Sequence, residues 1–191
     1  MGGALVDGAR VEWQIARDTA DSLIDEVEAQ CDGWLFVGGS VARQDATCGD
    51  IDAVFLPLSD SGASDFDNWC IKNDIKQNRK VRRGIYKEMQ VDFWIADFGN
   101  ITTMIQFVNG SGWFNGALRS MAKRKGMKLS QLGLYKDDEV IAGPMEPQTK
   151  EECSNGEAEI FEALSVDFIP LNKRTAENIG QAFAIIKRYA R

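Results

Sequence analysis

Apolar and polar positions alternate along this chain with two distinct periods. Trp13, Ala16, Ala20, Leu23, Ile24 and Val27 recur at helical spacing among acids and arginines, which predicts an amphipathic helix over about residues 11–30, closed by Asp32-Gly33. "WLFV" at 34–37 reads as a short buried strand, "GGS" as a turn, and Val41–Ala46 as a short helix with an exposed start near Ser40. "DIDAVFLPL" from Asp50 predicts a second strand, ended by Pro57 and a polar loop "SDSGASD", with a helix over Asp65–Lys76 beyond it. "MQVDFWIA" at 89–96 alternates and is rich in β-formers, so it is a third strand with Asp92 near its middle. Helices are expected over Thr102–Val108 and about Trp113–Lys125, and a hairpin turning at "KDDE" over residues 127–144. An acid-rich loop from Glu146, a short helix near Glu157–Leu164 and a last helix from Thr175 complete the chain. The fold class is therefore α+β, divided near residues 100–109 into a strand-rich half, 1–105, and a second half, 106–191, with a helical start and a small sheet.

The chain has 191 residues, 44% apolar, 27% charged and 9% aromatic, enough to bury a core and unlike a disordered or low-complexity segment. No stretch approaches the roughly 20 apolar residues of a membrane span, and the N-terminus lacks the layout of a signal peptide. A cytoplasmic location is expected, in the host cytosol for a phage or viral protein. The four cysteines, Cys31, Cys48, Cys70 and Cys153, form no C-x-x-C pair and there is no histidine. Reduced thiols fit this pattern, whereas an ordinary zinc site or a Ser-His or Cys-His nucleophile does not. Catalysis would rest on carboxylates, lysines or metal ions. The five tryptophans read as core residues rather than stacking platforms.

A net charge of −7 argues at first against a nucleic-acid partner. The distribution changes that picture, with 10 Lys+Arg against 18 Asp+Glu in residues 1–105 and 12 against 11 in residues 106–191. Two runs stand out. Lys72–Lys87 holds Lys72, Lys76, Arg79, Lys80, Arg82, Arg83 and Lys87 against one acid, Asp74, and Arg119–Lys128 holds Arg119, Lys123, Arg124, Lys125 and Lys128 against none. Each is either a solvated helix face or loop, or a surface for phosphates.

Asp50 and Asp52 are one residue apart on an expected strand, so a period of two puts both carboxylates on one face. Unless they are simply a wet strand face, their repulsion calls for a proton or a cation, and a divalent metal with oxygen ligands answers it. Asp92 is a candidate third ligand if its strand lies beside theirs. Three carboxylates without histidine suit Mg²⁺, or Mn²⁺, rather than Zn²⁺. Just upstream, Gly38 and Gly39 allow close backbone approach, Ser40 offers a hydroxyl at a helix start and Arg43 lies one turn in, the parts of a phosphate cradle. A cradle beside a metal-binding carboxylate pair is the equipment for nucleotidyl transfer.

The run Gly39-Ser40, Arg43, then Cys48-Gly49-Asp50-Ile51-Asp52 resembles the G-S-x-x-R…S-G-D-x-D signature of the nucleotidyltransferase superfamily. "FVNGSGWFNGALRSMAKRKGMKLSQLGLY" at 107–135 resembles the G-S-x-x-F-N-x-x-(L/M)-R segment of family X DNA polymerases, the polymerase beta group. "GEAEIFEALSVDFIP" at 156–170 resembles that family's closing segment, so the likeness covers about residues 11–175. It implies a nucleotidyltransferase palm, a mixed sheet with flanking helices, in residues 1–105 and a small α+β domain binding nucleotide and DNA in residues 106–191. Asp50, Asp52 and Asp92 would bind the metal ions and catalyse, with Asp92 the proton acceptor. Gly39, Ser40, Arg43 and Gly49 would hold the triphosphate; Cys48 stands where the family usually has serine. Phe107 and Val108 would crowd the 2′ side of the sugar, Asn109, Gly110 and Ser111 form the sugar-proximal turn, and Asn115 reaches the base edge. Arg119 would meet the template's minor groove, with Lys123, Arg124, Lys125 and Lys128 on DNA phosphates. Gln90 stands where the family usually has an arginine two residues before its third aspartate.

The resemblance implies a DNA polymerase using Mg²⁺ or Mn²⁺, deoxynucleoside triphosphates and primer-template or gapped DNA in short-gap repair. It would act as a monomer and without a membrane, and would be a minimal member lacking the N-terminal lyase domain. The rivals are a nucleotidyltransferase acting on RNA ends, a protein or a small molecule, and an inactive module that docks on DNA.

Overall fold

The computed structural model describes residues 9–78, 81–142 and 149–191. Two compact units divide the chain between Ala96 and Asp97. This point precedes the expected one because the whole helix around residues 101–109 falls within the second unit. Arg79 and Lys80 of the first basic run, and Glu146 with the end of the expected hairpin, lie outside the described residues.

In the first unit, a two-residue strand β1 (Val11–Glu12) leads into helix α1 (Trp13–Gln30), whose apolar stripe buries Ala16, Ala20, Leu23 and Val27. Strand β2 (Gly33–Val37), helix α2 (Gly39–Arg43), strand β3 (Thr47–Cys48) and strand β4 (Asp50–Pro57) follow. Helix α2 stops at Arg43, short of Ala46, because Gln44 takes a left-handed conformation with φ 59°. Helix α3 (Asp60–Lys72) begins inside the stretch expected to be a polar loop. Ser59 caps it, its Oγ accepting from the Gly62 amide at 3.1 Å, and Gly62 approaches the Asp32 carbonyl so closely that a Cβ would clash. Serine, aspartate and glycine serve helix starts as readily as loops, so composition misleads there.

The helix ends at Lys72 rather than Lys76, with Asp74 left-handed at φ 54°. Among the described residues of the basic stretch after it, Lys76, Arg82 and Arg83 lie on strands and Lys87 in a turn: β5 (Lys76–Asn78) and β6 (Val81–Tyr86) are followed by β7 (Met89–Ile95). The five-stranded sheet has the order β2-β4-β7-β6-β5, with β4 and β7 parallel and the other pairs antiparallel. Ile51, Ala53 and Phe55 of β4 and Val91 and Phe93 of β7 pack in one core with α1 and with Phe66 and Trp69 of α3. The Phe55 and Phe66 rings stack with centroids 4.1 Å apart, and Phe93 meets Phe66 edge-on at 5.3 Å. Each such pair adds about 0.5–1.5 kcal/mol beyond the area buried. The residues that alternate with these on β4, Asp50 and Asp52, point away from α1 and α3.

The second unit opens with helix α4 (Ile101–Asn109), buried along nearly its whole length, and helix α5 (Gly112–Arg124). Residues 127–142 form a three-stranded antiparallel meander rather than one hairpin: β8 (Met127–Ser130), β9 (Gly133–Lys136) and β10 (Glu139–Ala142). The expected turn at "KDDE" joins the last two, with Asp137 and Asp138 at φ 50° and 64°, the conformation that suits the twist of a tight hairpin. Helix α6 (Lys150–Asn155) stands in the expected acid-rich loop, capped by Thr149, and α7 (Glu157–Ala163) follows. Helix α8 (Ile179–Lys187) begins at the Asn178 cap rather than at Thr175. The preceding residues are held elsewhere: a 3₁₀ turn over Leu171–Lys173 delivers Arg174 into the core, 0% exposed. Phe114, Leu118, Phe161, Ile169 and Ile186 meet in this unit's own core.

The tryptophans do not behave alike. Trp69 is buried, Trp13, Trp34 and Trp94 are half-buried, and Trp113 is 51% exposed at the start of α5, which overturns its reading as core. Among the described residues no helix is long and apolar enough to cross a membrane.

Candidate active site

Parallel pairing of β4 with β7 sets Asp52 opposite Asp92 and Asp50 opposite Gln90. The period of two then brings the three carboxylates to one face, with one oxygen of each within 4.8 Å of the others. The loop before α2 is tied to β4 by the Gly38 amide, which donates to the Asp52 carbonyl at 2.8 Å. Gly39 sits at φ 62°, where a Cβ would overlap the Asp52 carboxylate; glycine alone brings the backbone this close.

Burial pushes the Asp52 carboxyl up to about 7, helped by the charges of Asp50 and Asp92 and opposed by Arg43 and Arg83. Asp50 is raised for the same reasons, burial first and then Asp92, against Arg83, Arg10 and Arg43. Carboxyls held above their ordinary range mark a site short of positive charge. A hard divalent cation with oxygen ligands fits that donor set.

Asp92 is the carboxylate with a dedicated partner. Arg83 Nε donates to Oδ1 at 2.6 Å and a terminal guanidinium nitrogen donates to Oδ2, while Gln90 Nε2 reaches Oδ1 at 3.4 Å. The bond to Asp92 raises the Arg83 guanidinium. Sequence reasoning missed this role and counted Arg83 only within a basic run. The signal lies in register: β6 runs antiparallel to β7 and places Arg83 across from Asp92.

Around the triad, Ser40 is 8% exposed, and its Oγ is buried with no hydrogen-bond partner among the described residues. Arg43 pairs with Asp45 at 2.9 Å. Cys48 is fully buried in the core, and beside it Gly49 lies against Arg10, whose Nε donates to Thr47 Oγ1 at 2.8 Å. Arg10 is a second cation that sequence reasoning passed over; its charge reaches Asp50.

The remaining candidates lie in the second unit. Ser111 caps α5, its Oγ accepting from Phe114 N at 3.4 Å and from Ala176 N at 3.2 Å. Asn115 is buried beneath the turn, donating to the carbonyls of Phe107 at 2.7 Å and Gly110 at 3.1 Å and accepting from Gln106 at 3.0 Å. Asn109 donates to Glu157, which also receives the buried Arg174. Val108 is buried, and the Arg119 guanidinium lies over the Phe107 ring at 5.5 Å. Lys123, Arg124, Lys125 and Lys128 are all exposed; Lys123 and Lys128 line an open hollow together with Asp137 and Asp138. In the first basic run, by contrast, Lys76 pairs with Asp74, Arg82 with Asp67 and Arg83 with Asp92. Arg82 and Arg83 are thereby held within the fold, while the Lys76–Asp74 pair is solvent-exposed.

Residues 104–175 match the family model described as DNA polymerase beta thumb. The fold is similar to the crystal structure of Leishmania infantum polymerase beta in a ternary P/T complex, with a TM-score of 0.67 and 20% identity over 89% of this chain and 78% of that one. No curated protein sequence matches the chain. Residues 104–175 are therefore similar to a DNA polymerase beta thumb, and the chain as a whole has a polymerase beta-like fold.

Proposed function

We propose that this protein is a family X DNA polymerase that adds deoxynucleotides to a primer 3′ end, in short-gap repair synthesis. The observation that carries the reading is the convergence of Asp50, Asp52 and Asp92 on one face of a polymerase beta-like fold. Bound Mg²⁺ or Mn²⁺ would stabilise charge on the attacking and leaving oxygens of the displacement. Asp50, Asp52 and Asp92 would hold these ions. Asp92 also takes the proton of the 3′ hydroxyl, directly or through water. The orphaned Ser40 hydroxyl and the Arg43 guanidinium, which exchanges its bond to Asp45, receive the triphosphate tail beside Gly39 and Gly49.

In the second unit, the turn from Phe107 through Asn109, Gly110 and Ser111 faces the incoming sugar, and Asn115 braces that turn from below. Contact between Asn115 and a base edge requires exchange of one of its present bonds. Arg119 meets the template, and Lys123, Arg124, Lys125 and Lys128 meet DNA phosphates. The primer-template duplex in the solved relative's complex supports DNA as the partner.

Incubation of a labelled primer on a gapped template with each triphosphate in turn tests the reading. Metal-dependent addition of the complementary nucleotide is expected. Addition that ignores the template would assign the protein to terminal or other nucleotidyl transfer, and no metal-dependent product would leave only a DNA-docking module.

A further inference from the structure

Asp92 is only 5% exposed, while Asp50 and Asp52 are partly open. Both of its oxygens are engaged by the single Arg83 fork, delivered from the neighbouring strand by the antiparallel register. A planar guanidinium gripping both oxygens fixes the plane of a carboxylate, which a single amide does not. Gln90, the side chain on Asp92's own face of β7, reaches one oxygen at 3.4 Å, close to the limit of a hydrogen bond. The Arg83 side chain is itself 47% exposed, so the fork stands at the open side of a buried carboxylate. Its positive charge also acts on Asp50 and Asp52, the other carboxylates of the triad.

We infer that Arg83 is the positioning residue of Asp92, a cross-strand guanidinium that sets the plane of this carboxylate and competes with divalent cation for it. The part of this inference that concerns turnover rests on the polymerase reading; the part that concerns cation binding does not. Removing the fork then has two opposed effects. The triad, freed of a competing charge, binds a divalent cation more tightly, while the misoriented carboxylate turns over more slowly. A mere loss of structure would weaken both.

The test uses the full chain as wild type, Arg83→Gln, Arg83→Lys and the double variant Arg83→Gln/Gln90→Arg. Mn²⁺ binding is measured by calorimetry without DNA or nucleotide, and kcat and nucleotide KM by primer extension. For Arg83→Gln, Mn²⁺ binding is expected to tighten about tenfold. Its kcat is expected to fall roughly 10- to 100-fold with KM nearly unchanged. Arg83→Lys keeps the charge without the fork, so it should hold Mn²⁺ as wild type does yet share the loss of kcat. That variant carries the test if the glutamine variant does not fold. The double variant returns a guanidinium to the Asp92 face two residues away and should recover most of the lost kcat. Unchanged or weaker Mn²⁺ binding by Arg83→Gln overturns the inference, as does wild-type kcat in Arg83→Lys or a double variant no better than Arg83→Gln. If the wild type extends no primer, the polymerase reading falls and the Mn²⁺ titration alone decides the role of Arg83.

Discussion

Asp52 of β4 and Asp92 of β7 are direct register partners in a parallel strand pair. Two carboxylates from distant parts of the sequence thus share one small volume with Asp50, and burial with these neighbouring charges pushes the Asp52 carboxyl up to about 7. The site that would serve catalysis is therefore a point of electrostatic strain in the metal-free protein.

Neutralising that strain has a predictable cost to function. Asp50→Asn, Asp52→Asn and Asp92→Asn should each reduce primer extension to background. In chelator, Asp52→Asn should hold or raise stability by about 1 kcal/mol, or roughly 2–4 °C in Tm. Thermal melts beside extension assays check both. Extension within about tenfold of wild type by Asp92→Asn would remove Asp92 from the metal site.

The pH dependence of stability follows from the sign of the Asp52 shift. Its folded pKa is raised, so the native state binds more protons than the unfolded chain between about pH 4 and 7. The metal-free protein is thus favoured at the acidic end and loses stability as pH rises through that window. Melts in chelator across it should show the decline, Asp52→Asn should flatten it, and added Mg²⁺ should restore stability most at the upper end, where the carboxylates are ionised.

Arg43→Ala should act on nucleotide rather than DNA. Loss of one charge-assisted bond of about 1.5–3 kcal/mol raises the nucleotide KM at least about tenfold and leaves the DNA Kd near its original value. The opposite pattern in steady-state kinetics and DNA titration would move Arg43 to the DNA side.

The second unit depends on a buried ion pair. Arg174 and Glu157 have side chains 0% and 2% exposed, with the guanidinium 4.9 Å from the Phe161 ring and 5.0 Å from the Phe168 ring. Arg174→Met alone should cost about 3–5 kcal/mol because it strands the Glu157 carboxylate, whereas replacing both partners with methionine should cost much less. Urea denaturation of the two variants measures the difference.

DNA binding should be weak and steeply sensitive to salt, since the net charge is −7 and attraction comes from a local patch. Arg82 and Arg83 pair with acids, and the exposed Arg119 and cluster at 123–128 would neutralise about five phosphates. Log K should then fall with log salt at a slope of about −4 to −5. Neutralising Lys123, Arg124, Lys125 and Lys128 together should flatten the slope and weaken all sequences alike, because phosphate contacts carry no base information. Arg119→Ala should instead lower selection of the correct nucleotide more than affinity. Filter binding over a salt series decides it, and a quadruple variant that binds normally would turn DNA toward another surface.

The amino-acid sequence by itself determined what depends on backbone period. Asp50 and Asp52 had to share a face once they lay on a strand, and Trp13 through Val27 had to make one helical stripe. Asp92 could be named because a carboxylate amid β-formers has no packing reason to be there. Where one residue type serves two purposes, that reading failed: the Ser-Asp-Gly stretch at 59–65 starts a helix, and Trp113, apolar by type, stands in solvent. Only the tertiary structure decided the rest. The pairing of β4 with β7, the arrival of Arg83 opposite Asp92 and the burial of Arg174 against Glu157 join residues that no local period connects. Strand order and register are set by how the sheet packs beneath α1 and α3, so the partner of a charge is fixed by the whole core and not by its neighbours in the chain.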